Sequence, residues 1–207
     1  MPGPNYFDVR RFRAEVPLHF SGYPAIVGRD EYIRERLRNC QAVLEIGAGD
    51  RPFFGNGAPS TYRTMDIDHC LKLDFYSIEE VTGTYDAVLM REVVEHLPRE
   101  MFYDYLRKIY SVLAPGGTLF LTTPNTWCPS WMLADYTHIS HWPMHDMYAV
   151  LKCSGFEPVQ IKRILWPSKW LFAKKACWYF ISKLYPFDYA GSYLAIAMKP
   201  LTVRNSS

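Results

Sequence analysis

Apolar and polar positions along this chain follow two periods, and the period changes at recognisable breaks. Short apolar runs that enter turns predict buried strands at "AVLEIG", "TYRTMDI", "YDAVLM" and "TLFLTT". Two more strands are predicted at "FEPVQIKRIL" and "YLAIAMKP". Between them the period lengthens to that of a helix. Tyr32, Ile33 and Leu37 share one face of a helix that ends near Asn39. Phe102, Tyr105, Leu106, Ile109 and Leu113 line a second helix, stopped by "APGG". "MHDMYAVLKCSG" predicts a third, ended by Gly155. Residues 1–27, with Pro2, Pro4, Pro17 and Pro24, predict an irregular arm. Strands alternating with helices imply an α/β sheet, mostly parallel, with helices on both faces.

Composition narrows this picture only a little. The 207 residues are enough for one domain, and a net charge of +2 is too mild to argue for nucleic acid. We divide that domain into an arm and helix (1–39), a core (40–165), a basic aromatic helix (166–190) and a last strand with tail (191–207). Five scattered cysteines without a CxxC fit reduced thiols and a cytoplasmic protein. The polar, basic N-terminus has no apolar run of a secretory signal, and no stretch predicts a membrane span.

The candidate chemistry lies at the strand ends, where open α/β sheets bind ligands. Gly47 and Gly49 follow the first core strand and let the backbone turn sharply beside a ligand. The third glycine of a dinucleotide fingerprint is absent, so the pair alone is weak evidence. Glu45 strengthens it, because a carboxylate at the end of a buried strand needs a polar partner. Asp66 ends the second strand, placed to accept hydrogen bonds from ribose hydroxyls. Asp74, beside Phe75, suits an adenine amino group and ring face. Each acid alone reads as a solvated loop residue; in this order they read as a nucleoside site.

"VLEIGAGD", "MDID", "YDAVLMREVVEHL", "LAPGGTLFLTTPN" and "HDMYAVLKCSGFEPV" resemble the ordered motifs of class I S-adenosylmethionine-dependent methyltransferases. The branch they resemble most contains the ubiquinone-pathway O-methyltransferases. The resemblance covers residues 40–165, so that region is expected to bind the cofactor, and the closing strand fits as well. It implies a Rossmann-like sheet of seven strands in order 3-2-1-4-5-7-6, the last antiparallel. It also implies S-adenosylmethionine, released as S-adenosylhomocysteine. Glu45, Gly47, Ala48, Gly49, Asp66, Ile67, Asp74, Phe75 and Arg91 are the implied cofactor residues. One departure stands out. "DRPFFGNGAPS" alone joins the first two strands, and its prolines and glycines predict a short or missing helix there.

"REVVEHL" follows the third core strand. If residues 92–96 start a helical turn, Glu92, Glu95 and His96 can point the same way. Two carboxylates and an imidazole suit a divalent ion such as Mg2+ or Mn2+. The loop "DYTHISHW" offers a further ligand, and His138 matches the downstream metal ligand of the relatives better than His141. The alternatives are a metal-free general base, His96 or His138, or carboxylates that cap the turn with Glu95 paired to Arg99. His19, His69 and His145 read as surface or packing residues.

The reaction this implies is O-methylation, since imidazole near neutral pH suits removal of a hydroxyl proton. The NPPY-type motif of amino-group methyltransferases is absent; "TTPN" is not that motif. The expected acceptor is a small molecule, a glycan or a lipid-linked precursor. A metal-dependent RNA ribose 2′-O-methyltransferase is the second reading, and the lack of a strongly basic domain argues against nucleic acid. A non-catalytic cofactor-binding partner protein is the third. Within "WPSKWLFAKKACWYFISKLYPF", Trp170, Ala173, Cys177, Phe180, Ile181 and Leu184 form an apolar stripe flanked by lysines. It predicts a helix that covers the sheet; sharper readings are an acceptor lid, a homodimer face or a peripheral membrane contact.

Overall fold

A computed structural model describes residues 6–54, 57–166 and 187–201. The strands are β1 (Ala25–Val27), β2 (Ala42–Ile46), β3 (Thr61–Met65), β4 (Tyr85–Arg91), β5 (Leu113–Pro124), β6 (Val159–Leu165) and β7 (Ser192–Met198). They form one seven-stranded sheet in the order β1-β6-β7-β5-β4-β2-β3. β7 runs antiparallel to both β5 and β6, and the other pairings are parallel. From β3 to β6 this is the expected class I order with its antiparallel last strand, and β1 adds an edge beside β6. The outermost position beyond β3 is held by a single parallel bridge between Met65 and Phe75.

The helices are α1 (Tyr6–Arg13), α2 (Arg29–Leu37), α3 (Arg99–Val112), α4 (Pro129–Leu133) and α5 (Met144–Cys153). Side chains alternate across the strands and build a core on each face of the sheet. Leu44, Ile46, Val88, Met90, Leu119 and Leu121 pack with Phe102, Leu106 and Ile109 of α3 and Met147, Val150 and Leu151 of α5. Val43, Ala87, Leu89 and Phe120 meet Ile33 and Leu37 of α2 on the opposite face, where Phe53 also packs. As expected, no helix forms among the described residues between β2 and β3.

The arm is not irregular throughout, which corrects the sequence expectation in part: α1 and β1 form within it, and the stretch between them stays largely irregular. α1 lies against α5, where Arg13 Nε is 3.0 Å from Asp146 and Arg13 Nη2 is 2.9 Å from His145 Nε2. Ala25–Val27 pairs with Arg163–Leu165 as an edge strand. The helix expected over 166–187 falls outside the described residues except at its two ends. Among the described residues no helix is long and apolar enough to cross a membrane.

Candidate functional site

A cleft of about 270 Å3 opens at the carboxyl ends of β2, β3 and β4. Gly47, Asp66, Ile67, Glu92, Val93, His96, Leu97 and Tyr105 are among its lining residues, with Ile46 and Met65 at its floor. The glycine loop needs its glycines for two different reasons. Gly47 has φ +72°, and a Cβ there would lie 2.1 Å from Val93 Cγ2. Gly49 has φ +54° with open space beside it, so only the backbone conformation demands glycine. Asp66 fixes the loop, accepting from Gly49 N at 3.0 Å and Asp68 N at 3.2 Å. Ala48 is buried, and its N–H, like that of Gly47, donates to Met65 O. Ile67 is 72% exposed on the rim.

Glu45 and Arg91 do not line this cleft, contrary to the resemblance. Strand alternation sends both to the opposite face, that of Val43, Leu89 and Phe53. Glu45 is fully buried, and Arg91 meets its Oε1 through Nη2 at 2.6 Å and Nε at 3.0 Å. Phe53 N and the Tyr62 hydroxyl donate to Oε2. The pair therefore ties β2, β4 and the loop after the glycines together from behind. Asp74 is also engaged elsewhere. It accepts from Arg63 Nη1 at 2.6 Å and Thr64 N at 2.8 Å, in a shallow hollow at the sheet edge that Phe75 shares. These bonds to its charged form, with Arg63 beside it, hold its carboxyl below the usual range despite partial burial.

The segment after β4 makes the second part of the site. Glu92 adopts φ +51°, a left-handed conformation that costs on the order of 1–3 kcal/mol for a side-chain-bearing residue. Its N–H donates to Thr122 O, and a 3-10 turn follows over Val94–His96. The turn swings Glu95 inward. Glu95 is fully buried, accepts from Thr123 Oγ1 at 3.0 Å, and leaves Oε1 without a partner. Its carbonyl accepts from Ile139 N and Ser140 N, both at 2.9 Å, and these bonds pull the loop after α4 over the site.

That loop delivers His138. Ligand atoms of Glu95, His96 and His138 all lie within 4.8 Å of one another, and the two imidazole centroids are 4.9 Å apart. His141 is exposed and stands outside this group. Glu92 stands outside it as well, turned toward Arg29 Nη1 at 3.5 Å. The bland alternative for Glu95 also fails, because Arg99 lies over the Trp142 ring instead.

Hydrogen bonds show which ring nitrogen of each histidine donates. His138 Nδ1 is 3.0 Å from Met132 O, and a carbonyl only accepts, so Nδ1 carries the proton. His96 Nδ1 is 2.9 Å from Thr137 Oγ1 and 3.3 Å from Thr137 O. The Thr137 hydroxyl already donates to Asp135 Oδ1 at 2.7 Å, so His96 Nδ1 is again the donor. That leaves Nε2 as the second nitrogen of each ring; on His138 it lies 4.0 Å from Asp135 Oδ2. Burial, and then the Glu92 charge, push the Glu95 carboxyl up to about 8, and desolvation raises Glu92 too. The two carboxylates resist ionising together unless a cation joins them.

Sequence reasoning missed Arg29, Asp135 and Thr137. Asp135 and Thr137 stand beside the "THISH" histidines, and spacing alone does not show that they orient His96. Arg29 lies 63 residues from Glu92 and is found only through the fold.

A family model described as a methyltransferase domain matches residues 27–161. Over 50 residues the chain is 46% identical to the mouse ubiquinone biosynthesis O-methyltransferase, mitochondrial, which is 24% of this chain and 13% of that protein. Over 69 residues it is 35% identical to a ubiquinone biosynthesis O-methyltransferase of Xanthomonas campestris pv. campestris, 30% of this chain and 28% of that one. The matches thus span less than a third of these curated relatives. Among solved structures, a SAM dependent methyltransferase from Archaeoglobus fulgidus superposes with TM-score 0.61 at 18% identity, covering 94% of this chain and 100% of that one. The methyltransferase domain of bacterial CtHen1 superposes with TM-score 0.59 at 14% identity, over 83% of this chain and 97% of that one. At these identities the structures show a shared fold.

Proposed function

This chain belongs to the methyltransferase domain family, and from that premise we propose that it moves a methyl group from S-adenosylmethionine to a hydroxyl of a small-molecule, glycan or lipid-linked acceptor. The cleft suits the cofactor: an acid for the ribose, apolar Ile67 and Leu97 for a purine face, and a glycine wall for close approach. When bound, S-adenosylmethionine supplies a methyl group already activated on sulfur. The protein's part is alignment and removal of the acceptor proton.

The observation that carries the hydroxyl reading is His96 at the cleft with its Nδ1 held by Thr137, so that Nε2 is the nitrogen available to an acceptor. His96 lines the cleft itself. Its Nε2 accepts the proton, while Nδ1–H stays on Thr137 and, through it, on the Asp135 carboxylate. That chain stabilises the imidazolium that forms. Glu95, His96 and His138 would also fit a borderline divalent ion such as Mn2+ better than Mg2+, since they offer one carboxylate oxygen and two imidazole nitrogens, and Glu95 Oε1 is buried without a partner. An ion there would lower the pKa of the acceptor hydroxyl.

The test is transfer of labelled methyl from S-adenosylmethionine into a pooled metabolite extract, and separately into RNA, with products identified by mass spectrometry. Methyl ethers are expected from the extract, with and without chelator. His96→Ala is expected to lose about 10²–10⁴-fold in rate. Exclusive formation of methylamines, or incorporation into RNA alone, would overturn this reading.

A further inference from the structure

The part of the cleft beyond Asp66 must recognise the adenosine half of the cofactor. The acid that the resemblance assigns to that task is not free for it. Asp74 has Arg63 on Oδ1, and Thr64 N and Thr64 Oγ1 on Oδ2, and it stands at the sheet edge. The cleft wall instead presents Tyr105 from α3.

Tyr105 enters the cleft from the core. It is 5% exposed and belongs to the apolar face of α3 with Phe102, Leu106 and Ile109. A buried tyrosine normally finds a partner for its hydroxyl. Three others in this core do: Tyr23 donates to Pro17 O, Tyr85 to Thr82 O and Tyr193 to Trp142 O, each at 2.7 Å. Among the described residues the Tyr105 hydroxyl has no hydrogen-bond partner, and its residue lines the cleft with Asp66. The ring is packed, but the hydroxyl is not one of the buried polar atoms that lack a partner; it is open to solvent on a residue that lines the cleft, uncommitted to the protein where the three other hydroxyls are committed, and so available to a ligand there. Burial, with the Glu79 and Asp66 charges, raises its pKa, so the hydroxyl stays protonated and can both donate and accept.

We propose that Tyr105 hydrogen-bonds the adenosine half of the cofactor, taking the part that sequence resemblance gives to Asp74. Asp74 is then a structural residue that caps the edge of β3 where an outer strand is reduced to one bridge. The assignment rests on the cofactor reading above.

The test is calorimetric titration of S-adenosylhomocysteine and of 5′-methylthioadenosine, which lacks the amino-acid half, into wild type, Tyr105→Phe and Asp74→Asn. Tyr105→Phe keeps the packed ring and deletes only the hydroxyl. It is expected to weaken both ligands by the same factor, roughly 5- to 15-fold, with an unchanged thermal midpoint. Asp74→Asn is expected to hold both affinities within about twofold. Unchanged affinity in Tyr105→Phe would overturn the proposal. So would a loss for S-adenosylhomocysteine alone, which would place the hydroxyl on the amino-acid half. A tenfold loss in Asp74→Asn with Tyr105→Phe unaffected would return the role to Asp74. If wild type bound neither ligand, the cofactor reading itself would fall, a result separate from all of these.

Discussion

Arg91 Nη2 lies 2.6 Å from Glu45 Oε1 on the face of the sheet opposite the cleft, and this ion pair braces the glycine loop from behind. Glu45 has no exposed surface, so removing its partner leaves a buried charge. Arg91→Met is expected to destabilise the protein by about 3–5 kcal/mol, a fall in thermal midpoint of roughly 10 °C. Glu45→Gln combined with Arg91→Met should recover part of that loss. Thermal denaturation of the three proteins checks it; equal stability of wild type and Arg91→Met would refute the bracing role.

Glu95 makes stability depend on pH. Its carboxyl is pushed from 4.5 up to about 8 in the fold by burial and by Glu92. Between those values the folded state keeps a proton that the unfolded chain has released. Its contribution is therefore complete below about pH 4.5 and is lost as pH rises toward 8. Glu95→Gln keeps an acceptor for Thr123 and cannot ionise. In chelator, its thermal midpoint relative to wild type is expected to rise steadily from pH 5 to pH 8. A difference that does not change with pH would show that the carboxyl ionises normally.

Gly47 and Val93 cannot both carry their side chains outward. Gly47→Ala places a Cβ 2.1 Å from Val93 Cγ2 at the cleft wall. At least a tenfold loss in S-adenosylhomocysteine affinity is expected. Val93→Ala in the same protein relieves the clash and leaves only the strain of φ +72°, about 1 kcal/mol. A double-mutant cycle by calorimetry measures the coupling; additive losses would mean that the contact is not the cause.

Thr137 orients the His96 ring through the 2.9 Å contact of its Oγ1 with Nδ1. Thr137→Val removes the nearer acceptor and the link to Asp135 and leaves only the longer 3.3 Å contact with the backbone carbonyl. Nitrogen NMR of histidine-labelled protein is expected to show His96 as the Nδ1–H tautomer in wild type, moving toward Nε2–H in the variant. An identical His96 spectrum in both would remove Thr137 from the site.

The strands and their end-loops were legible because apolar runs, glycines and acids all fall at one rim of the sheet, and periodicity reports that without tertiary information. His138 stands in the loop that the fold brings beside His96, and the lack of a helix among the described residues after the glycine loop was legible from Pro52, Gly55, Gly57 and Pro59. What was hidden depends on pairing across the fold. β1 is three residues long and exists because β6 offers an edge. Glu45 and Arg91 are ordered correctly for a cofactor site, and only strand parity, Glu45 opposite to Ile46 and Arg91 in phase with Leu89, reveals that they satisfy each other. Asp74 was captured by Arg63, eleven residues away, because both lie at the sheet edge. Tyr105 sat in plain view within the apolar stripe of α3, where its ring accounts for the pattern and its hydroxyl passes unnoticed.

The most direct measurement is calorimetric titration of S-adenosylhomocysteine into wild type and Asp66→Ala. Asp66 holds Gly49 N at 3.0 Å and faces the cleft. The expected result is saturable one-to-one binding by wild type and at least a tenfold weaker interaction in the variant. No binding by the folded wild-type protein, or equal binding by both proteins, would contradict the account.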